Sequence, residues 1–260
     1  MRDTSLRTAC AIVVALVAVS CGRDDVRHAP VAAPPARPGA GDSAAGRGAI
    51  RGRVVYDGEP PERAKLLVIK DRDVCRVIEH RDPSLIVGEG GGIANVVVSV
   101  DGLASADAYD AGPYVLDQRD CVYDPHVMLV AAGAPLDILN SDGVLHNVHT
   151  FCEMNRASNV AQPPALKRMT MTFERPERVQ LRCDVHGWMS AWVVVVDHPY
   201  HVVSGDDGAF VIEDVPAGDI TLRSWHETLG EQTMRVSVPS GREAVVELGY
   251  PSRGADEDAG

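Results

Sequence analysis

The pattern of apolar and polar positions from residue 49 onward predicts β-strands. The segment "AIRGRVVYDG" (49–58) alternates and ends on the turn dipeptide Asp-Gly, and "ANVVVSV" (94–100) is a short β-branched run. Similar strand-like runs follow in "HVMLVAAGAPLDILNSDG", "LKRMTMTF", "RVQLRC", "AWVVVV", "GAFVIEDVPAGDITLRSW" and "QTMRVSVPSG". Turn signals separate these runs, and no long amphipathic helix interrupts them. The pattern predicts an all-β protein built from one or two β-sandwiches.

The first 20 residues show a different pattern, in which a basic start precedes an apolar run. Arg2 and Arg7 come before "ACAIVVALVAVS" (9–20), which is too short to span a bilayer and predicts an export signal over residues 1–20. A buried N-terminal strand or helix is the alternative. The cleavage region "AVSC" (18–21) resembles a bacterial lipobox, although Ala18 stands where Leu is usual. We therefore expect a lipoprotein on the periplasmic side of a bacterial membrane, lipidated at Cys21, with a plain cleaved signal as the alternative.

Composition predicts two disordered segments, and the net charge restricts the possible partners. Residues 21–48 are rich in Pro, Ala and Gly without an apolar period and predict a disordered tether, and residues 252–260 predict a disordered tail. The formal charge is −12, and removing residues 1–20 takes away Arg2, Asp3 and Arg7, a net +1, which leaves −13. This charge argues against nucleic-acid binding and suits basic partners, although an acidic surface also serves solubility alone.

The cysteines fall into different classes. Cys10 belongs to the predicted signal, and an exported chain is exposed to oxidising conditions that permit disulfides. If Cys183 binds a metal, at most one disulfide forms among Cys75, Cys121 and Cys152. We favour the pair Cys75–Cys121 with Cys152 free, but nothing in the sequence determines this pairing.

The two ends of the β-rich region resemble one carboxypeptidase-regulatory-like, or prealbumin-like, β-sandwich. The resemblance lies in "IRGRVVYDGEPPERAKLLV", "ANVVVSV" and "SGDDGAFVIEDVPAGDITLRSW". The matching positions of the hairpin and the closing segment are Asp207, Gly208, Phe210, Val215, Pro216, Gly218 and Leu222, with Ile220 where Tyr is usual. The resemblance implies a discontinuous sandwich of residues 49–107 and 199–251, with a domain of residues 108–198 inserted. Two consecutive sandwiches are the alternative.

The stretch "CDVHGWM" (183–189) carries three kinds of metal ligand on one short loop. Val179, Leu181 and Cys183 alternate, so Cys183 is expected to face inward at the end of a strand. His186 and Met189 follow before the apolar run "AWVVVV". A trigonal set of two His and one Cys with a weak axial Met is the blue-copper arrangement, and it requires a second His from elsewhere.

The upstream segment "NSDGVLHNVHTF" (140–151) offers His146 and His149. Residues three apart in a strand lie on opposite faces, so only one of the two can face the metal, and alternation does not choose between them. "LHNVHTF", "CDVHGWM" and the preceding "YDPHVMLVAAGAPLDILNSD" closely resemble the copper-binding segments of cupredoxins, above all amicyanin and pseudoazurin, over residues 114–197. The resemblance implies a cupredoxin-like Greek-key β-sandwich with one type 1 copper ion. The same resemblance implies that the copper ligands are His146, Cys183, His186 and Met189.

The resemblance also assigns roles around the ligands. Asn147 is expected to bridge its strand to the ligand loop through side-chain hydrogen bonds. Asp184 departs from the small hydroxyl residues that are common after the Cys. Facing inward it favours Cu(II) and lowers the reduction potential, whereas facing solvent it has little effect. Trp188 either shields the copper, forms an apolar docking patch with Val144 and Leu145, or packs in the core.

Protein side chains fill every position of such a centre, so we expect an electron carrier and not an enzyme. The expected partners are redox proteins such as a c-type cytochrome or a periplasmic oxidoreductase, and the membrane is contacted only through the lipid anchor. The overall pattern also resembles bacterial plastocyanin-like and methylamine-utilisation-like proteins. The alternatives are a copper storage or delivery protein, and a structural or binding module of the envelope without functional copper. The other histidines, His126, His198, His201 and His226, are expected to be hydrogen-bonded or at the surface.

Overall fold

The computed structural model describes residues 46–103, 109 and 112–252. The predicted signal, the lipidation site Cys21, the tether up to residue 45 and residues 253–260 of the tail lie outside this part of the chain. The prediction of an all-β protein is confirmed, because strands make up almost all the regular structure there. The strands are β1 (Arg47–Asp57), β2 (Val97–Asp101), β3 (Tyr114–Arg119), β4 (Val122–Asp124), β5 (Val127–Ala131), β6 (Pro135–Asn140), β7 (His146–Phe151), β8 (Asn159–Gln162), β9 (Arg168–Thr172), β10 (Glu177–Arg182), β11 (Ser190–Val196), β12 (His201–Val203), β13 (Ala209–Pro216), β14 (Gly218–His226), β15 (Gly230–Val238) and β16 (Glu243–Pro251).

Helical structure in the described residues is limited to two short pieces. These are the helix α1 (Arg72–Cys75) and a 3₁₀ turn at Glu89–Gly91. Neither piece, nor any other helix of the described residues, has the length and apolar character needed to cross a bilayer.

Four sheets form two packed pairs. The first pair has the strand orders β13-β1-β16 and β12-β2-β14-β15, and the second has β5-β11-β10-β7-β8 and β4-β3-β6-β9. Most neighbours are antiparallel, but β1 runs parallel to β16, β3 to β6 and β5 to β11. The chain leaves the first pair after β2, builds the second pair from β3 to β11, and returns at β12. The domain boundaries drawn from the sequence remain a prediction.

Each pair of sheets encloses its own apolar core. Val54, Ile93 and Leu222 are buried in the first core, whereas Leu116 and Val179 are buried in the second. Burying side chains of this size stabilises the fold by about 1.5–3 kcal/mol each. Along each strand the buried positions alternate with exposed ones where one face meets solvent, which is the pattern that predicted the strands.

A third apolar cluster joins the two pairs of sheets. It contains Val97 of β2, Val127 and Leu129 of β5, and Val194 and Val196 of β11. Val98 of β2 points the other way, into the first core. Strand β2 is therefore covered on both faces, which is why its sequence is a nearly continuous β-branched run.

A segment between β1 and β2 packs on the second pair of sheets. This strap, residues 64–82, is closed at its base by backbone hydrogen bonds from Leu66 N to His80 O (2.9 Å) and from Asp82 N to Ala64 O (2.9 Å). Its residue Val68 is buried in the second core, although the sequence places residues 49–107 in the first sandwich. The run "LLVI" (66–69) forms no ladder strand, and Leu67 and Ile69 are 82% and 72% exposed.

The strap is fixed covalently by a disulfide between Cys75 and Cys121. Cys121 lies in the two-residue turn of the β3–β4 hairpin, where Arg119 pairs with Val122. Cys152 has a free thiol. The pairing favoured from the sequence is therefore confirmed.

Candidate metal centre

Strands β10 and β11 present the ligand loop. Val179, Leu181 and Cys183 are all buried, so the predicted inward direction of Cys183 is confirmed. Beyond β10 the chain turns through residues 183–189 and re-enters as β11. Backbone hydrogen bonds from Cys183 N to Met189 O (3.2 Å) and from Met189 N to His186 O (2.9 Å) close the loop. The loop is therefore a tight hairpin connection closed by two backbone hydrogen bonds of its own.

Strand β7 brings one histidine to the loop and directs the other away. His146 is completely buried, whereas the His149 side chain lies on the outer face, where its Nδ1 is 3.1 Å from Asp184 Oδ1 and its ring stacks on Phe151. The alternation of β7 puts these two side chains on opposite faces, and inward packing of Val148 and His146 determines which is which.

Three candidate ligand atoms meet at one buried point. Nδ1 of His146 is 3.0 Å from Nδ1 of His186, and Sγ of Cys183 is 3.9 Å from Nδ1 of His186. The three ligand atoms all lie within 4.8 Å of one another. Such spacings suit donors of one ion, because metal–nitrogen and metal–sulfur bonds are about 2.0–2.3 Å long. The geometry of the residues therefore fits a metal ion bound by two imidazoles and one thiolate.

A carboxylate holds each imidazole from behind. Nε2 of His146 is 2.9 Å from Asp142 Oδ2, and Nε2 of His186 is 2.8 Å from Asp71 Oδ2. A carboxylate accepts, so Nε2 of each ring carries the proton and each Nδ1 keeps its lone pair. Two lone pairs directed at each other need a cation or a proton between them. The two carboxylates therefore select the tautomer in which Nδ1 of each ring is free to bind a metal.

The sequence reasoning did not find either carboxylate. Asp142 lies four positions before His146 in a Ser-Asp-Gly turn, where an acidic residue is common for local reasons. Asp71 lies 115 positions before His186, on the strap. No local spacing connects residues so far apart, so only the fold brings them together.

Asp142 also orders the turn that anchors the strap. Its carboxylate accepts from the backbone N–H groups of Asp120 (2.8 Å) and Cys121 (2.9 Å), which both have positive φ. These hydrogen bonds compensate a left-handed conformation that residues other than Gly seldom adopt. Burial raises the pKa of the Asp142 carboxyl, but the hydrogen bonds from His146 and from the backbone outweigh it and hold that pKa below its usual value.

The thiol of Cys183 is acidic in these surroundings. Burial alone raises its pKa, but hydrogen bonding to His146 and His186 outweighs burial and lowers the pKa to about 6. The thiolate is the form that binds metals. The same contacts raise the pKa of His146, because hydrogen bonds to Asp142 and Cys183 exceed the opposing effect of burial.

Asn147 joins β7 to the ligand loop. Its Oδ1 accepts from the backbone N–H groups of Asp184 (2.7 Å) and Val185 (3.2 Å) and from Cys183 Sγ (3.3 Å). Its Nδ2 donates to Asn159 Oδ1 (2.7 Å). The structure thus has the side-chain bridge that the cupredoxin resemblance implies.

Asp184 faces outward, the second of the two orientations considered from the sequence. Its carboxylate accepts from Asn159 Nδ2 (2.6 Å) and Asn147 Nδ2 (3.2 Å) and contacts His149. Hydrogen bonds from His149 and Asn159 hold the pKa of this carboxyl below its usual value. The charge of Asp184 is therefore part of a polar cluster on the outer face.

Trp188 and Met189 are the last two residues of the loop. Met189 is buried in the second core, and the Trp188 ring lies 5.0 Å from that of His186 while its Nε1 donates to Cys121 O (3.0 Å). Trp188 therefore packs between the loop and the β3–β4 turn. Leu145 is exposed. A cleft of about 300 Å³ opens beside Trp188 and Met189, with His80 among its lining residues.

The other histidines do not form a second cluster of metal ligands among the described residues. His126 contacts Ser190 O and Glu227, His201 contacts His198 O, and His226 accepts from backbone N–H groups of its own turn. Asp142 and His146 also come close to Cys121. Because Cys121 is in a disulfide, it offers no thiolate there.

The comparisons with known proteins concern part of the chain. No family model matches it, and no curated protein matches it. Similar solved structures include the Cu(I) form of an amicyanin mutant, at 22% identity and a TM-score of 0.30 over 38% of this chain and 98% of that one. A purple cupredoxin from Nitrosopumilus maritimus has 18% identity and a TM-score of 0.28 over 32% and 99% of the two chains. A Cu-containing nitrite reductase from Thermus scotoductus SA-01 has 16% identity and a TM-score of 0.31 over 37% and 25%. The match thus spans about a quarter of the reductase.

Proposed function

We propose that the protein binds one copper ion in a type 1 centre and carries single electrons in a bacterial cell envelope. The observation that supports this is the meeting of two imidazole lone pairs and one acidic thiol at a buried point. A set of two His and one Cys with a weak axial Met is typical of blue-copper electron-transfer sites. Structural zinc sites take four strong ligands, and the described residues bring three strong ligands together here.

Hydrogen bonds from other residues hold the proposed ligands in place. Asp142 and Asp71 fix the two rings, and Asn147 fixes the loop that carries Cys183. Bound copper would supply a one-electron couple between Cu(II) and Cu(I). Ligands that are already ordered change little between the two oxidation states, which favours rapid electron exchange. Met189, buried on the same loop, is the candidate for a weak fourth ligand.

An electron carrier is proposed in preference to an enzyme because the candidate donors all come from the chain and are buried. The cleft beside Trp188 and Met189 is lined by polar and apolar side chains and does not contain His146, Cys183 or His186. The proposed partners are envelope redox proteins such as a c-type cytochrome or a periplasmic oxidoreductase, since the mature chain is acidic. The export signal and the lipid anchor at Cys21 belong to the same proposal.

The first experiment is an anaerobic titration of the purified protein with Cu(II), followed by absorption and EPR. We expect one equivalent to bind, with intense blue colour and a narrow copper hyperfine splitting. Cys183→Ala and His146→Ala should abolish the blue colour. His149→Ala is the matched control, since it removes a histidine three residues away on the outer face and should keep the colour.

The remaining outcomes separate the alternatives. A colourless Cu(II) protein, or a blue colour that survives Cys183→Ala, contradicts a type 1 centre. Metal-free protein isolated from the periplasm of copper-supplied cells points to a structural module. Mixing the Cu(I) protein with an oxidised c-type cytochrome should reduce the cytochrome while copper stays bound. Movement of copper to an apoprotein acceptor without electron transfer points to copper delivery.

A further inference from the structure

The strap makes a contact with the candidate metal centre that its position in the sequence does not suggest. Asp71 Oδ2 lies 2.8 Å from His186 Nε2, and Cys75 Sγ of the same strap lies 3.9 Å from that nitrogen. His186 is fully buried, whereas the Asp71 side chain retains 33% exposure. The strap therefore covers the edge of the His186 ring that faces away from the other ligands.

The backbone at Asp71 is arranged for this contact. Asp71 has φ 45° and ψ 45°, a left-handed conformation that residues other than Gly, Asn and Asp rarely adopt. It is the N-cap residue of α1, where an Asp side chain ordinarily accepts from an N–H of the first helical turn. Here the carboxylate makes no capping hydrogen bond and contacts His186 instead. The Asp71 side chain therefore bonds to a residue in another part of the fold and not to its own helix.

Three further interactions keep Asp71 in position. Its carbonyl accepts from Cys75 N (2.8 Å) and Val74 N (3.0 Å), and Cys75 is linked to Cys121. The backbone N–H of Cys121 is in turn held by Asp142, the carboxylate behind His146. The supports of the two imidazoles are therefore connected through one disulfide.

We propose that Asp71 is a positioning residue of the metal centre, whose carboxylate holds His186 in the Nε2–H tautomer with Nδ1 directed at the ion. This inference rests on the proposed metal site. It makes the strap part of that site, and it assigns His186 a support equivalent to that which Asp142 gives His146. Removing the support leaves the ring free to change tautomer and orientation, so metal affinity falls while the ligand atoms remain present.

The test uses the full chain with Asp71→Gly, Asp71→Asn and the control Asp73→Asn. Glycine tolerates the left-handed backbone and removes the carboxylate, whereas asparagine tolerates it and keeps an acceptor oxygen. Asp73 is exposed on the same strap, and its replacement removes an equal charge. Competition with a chelator should show Cu(II) affinity about 10–100-fold lower for Asp71→Gly. We expect a smaller loss for Asp71→Asn and none for Asp73→Asn.

Nitrogen-15 NMR of the metal-free proteins provides a readout that does not depend on copper. The wild type should show a proton held on His186 Nε2, whereas Asp71→Gly should show that nitrogen only partly protonated. Asp71→Asn should shift the Nε2–H proton upfield, because a neutral acceptor makes a weaker hydrogen bond. Unchanged His186 signals in both variants overturn the proposal. A wild-type protein that forms no blue copper centre contradicts the proposed function, and the NMR result still decides the role of Asp71.

Discussion

At the scale of the residue, Asn147 shows how one side chain organises the ligand loop. Its Oδ1 receives the backbone N–H groups of Asp184 and Val185, which have no ladder partner in the loop. Buried amide groups without a partner cost about 1–3 kcal/mol each. A single side-chain oxygen therefore satisfies two loop amides beside Cys183.

Replacing Asn147 with Leu should lower the free energy of unfolding by about 2 kcal/mol or more, because two loop amides lose their acceptor. Urea unfolding of the metal-free protein, followed by far-UV circular dichroism, measures this loss. Asn159→Leu is the matched control on the exposed side of the same cluster and should change stability by about 0.5 kcal/mol or less. Equal effects of the two substitutions would show that the loop amides do not depend on Asn147.

The residues that were predicted from the sequence are those with local signals. Alternation along β10 predicts the direction of Cys183, and the spacing of "CDVHGWM" puts three ligand types on one loop. The choice of His146 over His149 came from resemblance, since alternation leaves it open. Asp142 lies near His146 in the sequence, but its place in a Ser-Asp-Gly turn already explains an acidic residue there. Asp71 meets His186 only when the strap packs on the second pair of sheets.

At the scale of the element, the strap is a loop closed by local hydrogen bonds and not by pairing with a sheet. Its helix α1 has four residues, and isolated helices of that length are unstable in water. Its exposed residues Leu67 and Ile69 add no core contact. The disulfide and the burial of Val68 and Cys75 must therefore supply much of its order.

The double variant Cys75→Ser/Cys121→Ser should lower the free energy of unfolding by about 2–4 kcal/mol, because the unfolded chain is no longer cross-linked. It should also speed amide hydrogen exchange in the strap and the removal of Cu(II) by EDTA, since the cover over His186 opens more often. Cys152→Ser is the control and should leave all three measurements near wild type. Strap exchange that stays slow in the double variant would show that noncovalent contacts suffice to hold the strap.

The apolar run of the strap explains why its structure was not predicted from the sequence. Its apolar run "LLVI" has the composition of a strand, but only Val68 of that run is buried and no neighbouring strand pairs with it. The strands that were predicted correctly, such as β10 and β11, pair along their whole lengths and bury one face or both. Periodicity reports burial against a regular sheet, and a loop held by a disulfide and local hydrogen bonds does not show it.

At the scale of the whole molecule, a polar contact on the edge of the third apolar cluster joins the two pairs of sheets. Glu227, in the β14–β15 turn, accepts from Trp192 Nε1 (2.8 Å) and contacts His126 Nε2. Trp192 also packs edge-on against Trp225, with ring centroids 5.1 Å apart. Because Trp192 is in β11, directly after the ligand loop, this contact links the first pair of sheets to the strand that carries the candidate centre.

Glu227→Ala should therefore weaken the whole molecule at this junction. Two largely buried donors lose their acceptor, so we expect the free energy of unfolding to fall by about 2 kcal/mol or more. Glu243→Ala is the control within the first pair of sheets. Its partner Arg51 in β1 is exposed, and such surface pairs contribute about 0–1 kcal/mol.

Tryptophan fluorescence and far-UV circular dichroism, recorded in the same urea titration, distinguish a junction effect from a general loss of stability. The two curves should coincide in the wild type, because the third apolar cluster couples the two cores. In Glu227→Ala the fluorescence change should occur at lower urea, since Trp192 and Trp225 lie at the junction and the cores lie away from it. Coincident curves in that variant, shifted no further than those of Glu243→Ala, would mean that the two pairs of sheets are held together without the contacts of Glu227.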